Sequence, residues 1–526
     1  MSQAAPRWHL PVLVVACTVY ESLFIYHGVN IVDEGWPLYA AKRWLEGAPL
    51  FSDAFFVFPP GHLLPAVAGL LLDPPGLVVS RSIYAFFQIA AAVGIYLFGR
   101  RVMPPGFALF GALLIGLATP RSHLAHHVFG YRYMAFSLIS MLLFAWRLEG
   151  GKRSLLVWAG LACGLGFCVR LDSLAAAAAI GVGTLVTARS WREAVEDGLL
   201  FGAGAVLAIL PVALWVLAEA GAQSAWLEIF VRPVEMTRLQ SLPMPVLTPP
   251  QKWVQPLIAR WFAAIQFRLF ILLYAVYAVV VTRAWWQARR RGEKPADPLL
   301  LVLVVFGAAY FTRALGRSDE AHLDSALPPA YLLLAHALWR ASVWARMPSR
   351  VAAVALVLLF AGWTYMLGTV FVIRSERGTR PLVFSNGEIT AKVWGGKAID
   401  WVVGEMLRRT RKGDVVLDLT SSPMVHVLAD RNGPGGADII MPGTFLDAEE
   451  ERVFIERLER NPPKLVLWPT KPFDRSTTDR RFAAFQPVLA DWVRTRYEPG
   501  PKFGRFRLML PKEAGDSGSS PEPDSD

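Results

Sequence analysis

Eleven apolar runs separated by short polar loops constrain this chain more than any other feature, because a run long enough to cross a bilayer must satisfy its own backbone polar groups as a helix. The runs fall at 10–26, 78–99, 105–118, 133–148, 155–169, 174–188, 200–217, 267–281, 299–311, 327–339 and 351–373. The stretch 61–72 is shorter and stops at Asp73-Pro74-Pro75, so it is expected to lie at the interface instead of crossing it. With 526 residues, 54% of them hydrophobic and 18% charged, the chain is too apolar for a soluble protein of its size. The expected fold class is a polytopic α-helical membrane protein with about 11 transmembrane helices.

Lys and Arg crowd into every second loop: Arg100-Arg101, Lys152-Arg153, Arg189 with Arg192, Arg283 with Arg289, Arg290, Arg291 and Lys294, and Arg340 with Arg346 and Arg350. The positive-inside bias puts these loops and the N-terminus in the cytoplasm. The loop holding Asp33-Glu34, the segments 123–132, 170–172, 220–262 and 313–324, and everything after 373 then share the outer face of an inner (cytoplasmic) membrane. The same bias accounts for the formal charge of +11 and argues against a nucleic-acid partner. Cys17, Cys163 and Cys168 all sit in apolar runs, with no CxxC pair, and read as small core residues. Arg7 precedes an apolar run without a small-x-small cleavage site before Asp33, so the first run is expected to stay as an uncleaved span.

After 373 the pattern changes to that of a small extracytoplasmic α/β domain, 374–510, followed by a disordered acidic tail, 511–526. Strands are expected at 415–419, 465–467 and 506–510, and helices at 391–409, 423–429, 448–460 and 482–493. There is no GxGxxG, and Gly433-Pro434-Gly435-Gly436 reads as a loop, not a nucleotide cradle.

Charges at span ends cost free energy and tend to mark sites. Five outer clusters stand out. Asp33-Glu34 follows the first span within a first outer loop, 27–77, and is joined by Asp53 after an amphipathic helix expected at 41–50; these acids either do chemistry or merely end a helix. Arg121 to Tyr133 holds His123, His126, His127 and Arg132; three histidines in five residues could ligate a metal, although a wet loop also tolerates them. Arg170 and Asp172 lie two apart between spans and could simply neutralise one another. Arg313 leads to Arg317, Asp319, His322 and Asp324, ahead of Pro328-Pro329. Arg232, Glu235 and Arg238 accompany Trp226, Trp253 and Trp261, which read as an interfacial aromatic belt.

The acidic pair, Tyr39, Leu45-Glu46-Gly47, Asp53 and Pro59-Pro60-Gly61 resemble the first extracytoplasmic loop of GT-C glycosyltransferases, similar to bacterial protein mannosyltransferases and to the aminoarabinose transferase of lipid A. The Arg317-x-Asp319-x-x-His322 segment before Pro328-Pro329 resembles the same bacterial transferases, and Asp430-Arg431-Asn432, Met441-Pro442-Gly443 and Asn461-Pro462-Pro463 resemble their terminal domain. The resemblance implies a glycosyltransferase whose donor is a polyprenyl-phosphate-linked monosaccharide and whose acceptor is a hydroxyl of a cell-envelope glycan, a lipid or a protein, with the bilayer holding the donor. A single inverting displacement then needs a carboxylate base and cations for the leaving phosphate. Asp33, the first acid of the loop, is the expected catalytic base; Glu34, Asp53, Arg132, Asp172, Arg317, Asp319 and His322 are the expected donor- and acceptor-binding residues, with Arg317 or Arg132 suited to the phosphate and Arg317 assigned to it. A divalent metal (Mg, Mn or Zn) stays open as a cofactor, with Glu34, His126 and His127 as candidate ligands. The alternatives are a transporter or flippase of lipid-linked saccharide, and an inactive assembly protein of the same fold.

Overall fold

In the computed structural model, which describes residues 6–26, 28–117, 133–293, 297–369, 379–384, 387–474 and 480–512, the apolar runs form helices as their length and lack of polar punctuation require. In chain order these are α1 (His9–Ser22), α2 (Gly35–Leu45), α3 (Leu64–Leu72), α4 (Leu77–Val102), α5 (Pro105–Leu117), α6 (Met134–Leu148), α7 (Leu155–Val169), α8 (Leu174–Thr187), α9 (Trp191–Trp226), α10 (Arg232–Leu239), α11 (Gln255–Arg290), α12 (Pro298–Gly316), α13 (Glu320–Trp344) and α14 (Ser349–Met366). Among the described residues, five helices are long and apolar enough to cross a membrane: Leu77–Val102, Trp191–Leu239, Leu257–Arg290, Pro298–Gly316 and Ser349–Met366. The other expected runs lie in apolar helices of 10–17 residues, except 327–339, which sits inside α13 behind the polar first turns of Glu320, His322 and Asp324.

Three expectations are corrected. The helix expected at 41–50 begins at Gly35 and ends at Leu45, because Pro37 is tolerated in a first helical turn and Gly47, at φ +94°, stops it. The outer loop expected at 220–262 is largely helical: Gly221, at φ +78°, breaks α9, after which a π turn at Leu227–Val231 leads into α10, and α11 starts at Gln255. The helix expected at 482–493 is split by Pro487 into Phe482–Phe485 and Pro487–Arg496.

One large core joins α4, α5, α11, α12 and α13 through fully buried Phe98, Leu114, Phe267, Phe306 and Tyr331. Beside it α7 and α9 touch backbone to backbone, since a Cβ on Gly160 would collide with the Phe201 carbonyl and one on Gly204 with that of Val157.

Beyond Thr379 come the hairpin β1 (Thr379–Phe384) and β2 (Gly387–Lys392), then α15 (Val393–Arg409), β3 (Val416–Asp418), α16 (Met424–Ala429), α17 (Ala448–Arg460), β4 (Leu465–Pro469), the two short helices α18 and α19 just given, β5 (Tyr497–Phe503) and β6 (Phe506–Pro511). The second sheet runs β3-β4-β6-β5, with β3 parallel to β4 (Leu417 opposite Val466) and β6 antiparallel to both its neighbours. The hairpin and edge strand β5 carry little of the apolar alternation that marks strands, and β5 contains Pro499-Gly500-Pro501, which sequence patterning reads as a breaker. The expected tail lies outside the described residues from 513 onward.

Two further cores are shared between the first loop and this C-terminal unit. One packs Leu38, Tyr39 and Ala41 against Met424, Val427 and Leu428; the other packs Trp36, Phe55 and Phe56 with Ile439 and Met441.

Candidate functional site

The first loop, the short turns after α7 and α12, α10 and part of the C-terminal unit enclose a cavity of about 850 Å³. Asp33, Trp36 and Phe58 come from the first loop; Arg170 and Asp172 from the turn between α7 and α8; Tyr310, Arg313, Arg317, Asp319 and His322 from the α12–α13 corner; Gln240 from the end of α10; and Met441, Phe473 and Asp474 from the C-terminal unit. Five of the residues expected at the site, Asp33, Asp172, Arg317, Asp319 and His322, therefore line one space.

Asp33 is half-buried in the turn that precedes α2. The Asn30 side chain braces it: Oδ1 accepts from the backbone N–H groups of Val32 (3.1 Å) and Asp33 (3.0 Å), while Nδ2 donates to Asp33 Oδ2 (2.9 Å). Its neighbour Glu34 turns elsewhere. Arg81 Nη2 donates to Glu34 Oε2 at 2.8 Å and to the Gly28 carbonyl at 2.7 Å, and both side chains are buried. A carboxylate held by a buried guanidinium anchors the loop to α4 and is not presented to the cavity. Arg81 lies near the start of the expected span 78–99, and an arginine within an apolar run is the signal that could have revealed the pair.

Asp53 is likewise drawn away. Arg43 Nη2 donates to its Oδ2 at 2.8 Å, Arg457 pairs with the other oxygen, and the Gly436 N–H donates to its backbone carbonyl at 2.7 Å. These contacts join the loop to the C-terminal unit, which makes Asp53 a docking residue in this geometry. Arg132, His126 and His127 lie outside the described residues. Among the described residues no three His, Cys, Asp or Glu side chains converge as metal ligands, and Glu34 is already engaged by Arg81.

Two charged clusters share the cavity with Asp33. Arg170 Nε and Arg313 Nη1 both donate to the same oxygen of Asp172, at 2.9 and 2.7 Å, so two guanidiniums share one carboxylate. Arg170 also lies over the Phe58 ring at 4.8 Å, and its Nη1 has no partner among the described residues. Arg317 donates to Asp319 Oδ2 (2.7 Å) and to the Gln240 carbonyl (3.1 Å) and sits 3.7 Å from Asp474, which Arg480 also approaches at 3.6 Å. There, among the described residues, Arg317 and Arg480 meet the carboxylates of Asp319 and Asp474. Asp319 caps α13 through the His322 N–H (2.9 Å) and contacts His322 Nδ1 (2.8 Å). Burial raises the Asp319 pKa, but the bond and charge of His322, with the bond from Arg317, outweigh it and hold the carboxyl well below its ordinary range.

Sequence reasoning did not find Trp36, Phe58 or Gln240 as wall residues, nor Met441, Phe473 and Asp474. Met441 was singled out only as part of a segment resembling a terminal domain, and Phe473 and Asp474 lie more than 100 residues beyond the last charged cluster it named, with no local pattern to mark them.

Together the helical bundle, the loop between α1 and α4 and the appended unit give this chain the fold of solved polytopic membrane proteins. No protein-family model and no curated protein matches its sequence. Among solved structures it is similar to ArnT from Cupriavidus metallidurans bound to undecaprenyl phosphate, at 17% identity and a TM-score of 0.57 over 96% of this chain and 98% of that one. It is also similar to the Archaeoglobus fulgidus oligosaccharyltransferase in its apo form, at 13% identity and TM-score 0.55 over 98% of this chain and 76% of that one. The Archaeoglobus fulgidus AglB in complex with an inhibitory peptide and a dolichol-phosphate matches at 14% identity and TM-score 0.51, over 97% and 75%.

Proposed function

We propose that the chain is an inverting glycosyltransferase that moves a monosaccharide from a polyprenyl phosphate to an acceptor hydroxyl of an envelope glycan, lipid or protein. The observation that carries this reading is the juxtaposition, around one cavity, of the Asp33 carboxylate with a guanidinium pair that shares a single carboxylate. The ArnT structure bound to undecaprenyl phosphate supports a lipid phosphate as the ligand class for this fold.

In this reading Asp33 accepts the proton of the acceptor hydroxyl as its oxygen attacks C1 of the sugar. The C1–O bond to phosphate breaks, the polyprenyl phosphate leaves with the electron pair, and the anomeric centre inverts. Among the described residues Arg170 and Arg313 share the single carboxylate of Asp172, while Arg317 pairs directly with Asp319 and lies near Asp474, so the leaving phosphate is assigned to the Arg170–Arg313 pair in preference to Arg317. Arg317, Asp319 and His322 then shape the acceptor side.

The reading places the N-terminus in the cytoplasm of an inner membrane and residues 374–510 outside it as a separate domain over the transmembrane part, 1–373. The loop charges support this through the positive-inside bias. The test incubates the purified chain in nanodiscs with a panel of radiolabelled polyprenyl-phosphate sugars and envelope acceptors. Transfer from one of them, abolished in Asp33→Asn, is the expected result; no transfer and no binding of polyprenyl phosphate would overturn the assignment.

A further inference from the structure

The turn that carries Asp33 is held from two directions. Asn30 braces it from within the loop, and the start of α16 in the C-terminal unit presses on it from outside. The Met424 N–H donates to the Ile31 carbonyl at 3.2 Å. Two residues after Asp33, a Cβ on Gly35 would collide with the Met424 backbone nitrogen and come within 2.8 Å of its Cα, so only glycine lets the two backbones seat this closely. A backbone atom cannot step aside as a flexible side-chain tip does.

The contact continues along one face of α2. Gly35, Leu38, Tyr39 and Lys42 recur at the helical spacing i, i+3, i+4, i+7, and each meets the C-terminal unit. Leu38 and Tyr39 are buried in a core with Met424, Val427 and Leu428. The Tyr39 ring stacks on His426 at 4.9 Å, its hydroxyl accepts from the Gly433 N–H at 2.6 Å, and Lys42 Nζ donates to Asn432 Oδ1 at 2.7 Å. Helix α2 is therefore indexed against the C-terminal unit along its whole length, with Asp33 at its leading end.

We propose that the C-terminal unit positions the carboxylate of Asp33 in the cavity through the Gly35–Met424 contact, with Gly35 and Met424 acting as positioning residues. The proposal rests on the reading of Asp33 as general base. A base must stand within hydrogen-bond reach of the hydroxyl it deprotonates, and a displacement of about 1 Å costs on the order of a hundredfold in rate. Adding one methyl group at residue 35 forces a shift of that kind without touching the cavity wall.

The experiment uses the full chain in nanodiscs. Gly35→Ala is expected to lower kcat by about ten- to a hundredfold, to leave the donor KM within a few-fold of wild type, to displace the acidic limb of the pH–kcat profile, and to speed amide hydrogen exchange across 29–36. Tyr39→Phe removes only the bond to Gly433 and should give the same pattern at a few-fold scale. Gly404→Ala, where a Cβ meets nothing within 4 Å, serves as the control and should match wild type. The proposal is overturned by a Gly35→Ala protein with wild-type kcat, pH profile and exchange, or by one whose kcat and donor KM deteriorate together with its Tm. Should Gly35→Ala fail to fold, Tyr39→Phe is judged by the same criteria. A wild-type chain that neither transfers sugar nor binds polyprenyl phosphate would sink the proposed function, while exchange over 29–36 would still decide the contact.

Discussion

The cluster of Arg170, Asp172 and Arg313 and the cluster of Arg43, Asp53, Arg457 and Asp438 use the same residue types near the same loop, yet they do opposite things. The first has two guanidiniums on one carboxylate and opens on the cavity. The second sets two guanidiniums against two carboxylates and bridges the loop to the C-terminal unit outside the cavity, with the Phe55 N–H donating to Asp438 at 3.2 Å. The adjacent acids Asp33 and Glu34 repeat the contrast, one facing the cavity and the other sealed against Arg81. Charge at the ends of apolar helices thus marks either a site or a joint, and what separates them here is whether surplus charge faces the cavity.

Mutations can break this comparison, beginning with Asp33→Asn. It keeps the size and removes the basicity, so turnover should fall by about a hundred- to ten-thousandfold while Tm and donor binding hold; near-normal turnover by a folded Asp33→Asn protein would falsify the open-site half. Glu34→Ala should behave as a joint instead. It leaves Arg81 buried without its carboxylate, at a cost of about 3–5 kcal/mol in stability, read as a lowered Tm in a thermal melt.

Arg313→Gln sharpens the open side. Loss of one donor to the developing phosphate charge should cost about a hundred- to a thousandfold in kcat, whereas Arg317→Gln, in the balanced cluster, should cost under about tenfold; the reverse order in steady-state assays would return the phosphate to Arg317.

The smallest effect concerns pH. Burial, opposed by Arg43, raises Asp438 to about 6 from its ordinary 3.8. A raised carboxyl pKa means that the folded state holds its proton longer than the unfolded state, so this group's contribution to stability declines as pH rises from about 4 to 6 and is fully lost above that. Asp438→Asn should flatten Tm across that window and leave the variant no less stable than wild type at pH 8; a Tm–pH curve that keeps the wild-type slope would remove Asp438 from the account.

The helical bundle was legible because spans announce themselves by length and hydropathy, and the strands at Val416, Leu465 and Phe506 because buried strands are short apolar runs. Asp33, Asp172, Arg317, Asp319 and His322 were legible as charges at span ends. The pairings of Glu34 and Asp53 were not: that Glu34 belongs to Arg81 and Asp53 to Arg43 and Arg457 depends on partners up to 404 residues apart.

By itself the sequence determined that this chain is a multi-span helical membrane protein with a small α/β unit after it, and that acids and arginines gather at the ends of its spans, because these follow from local hydropathy and from the cost of charge in lipid. Only the tertiary structure decided which charge faces the cavity and which is sealed, and that Met424 should press on Gly35 beside Asp33. Those outcomes depend on backbones meeting across long sequence separations at distances where one methyl group does not fit, and no local pattern encodes such an approach.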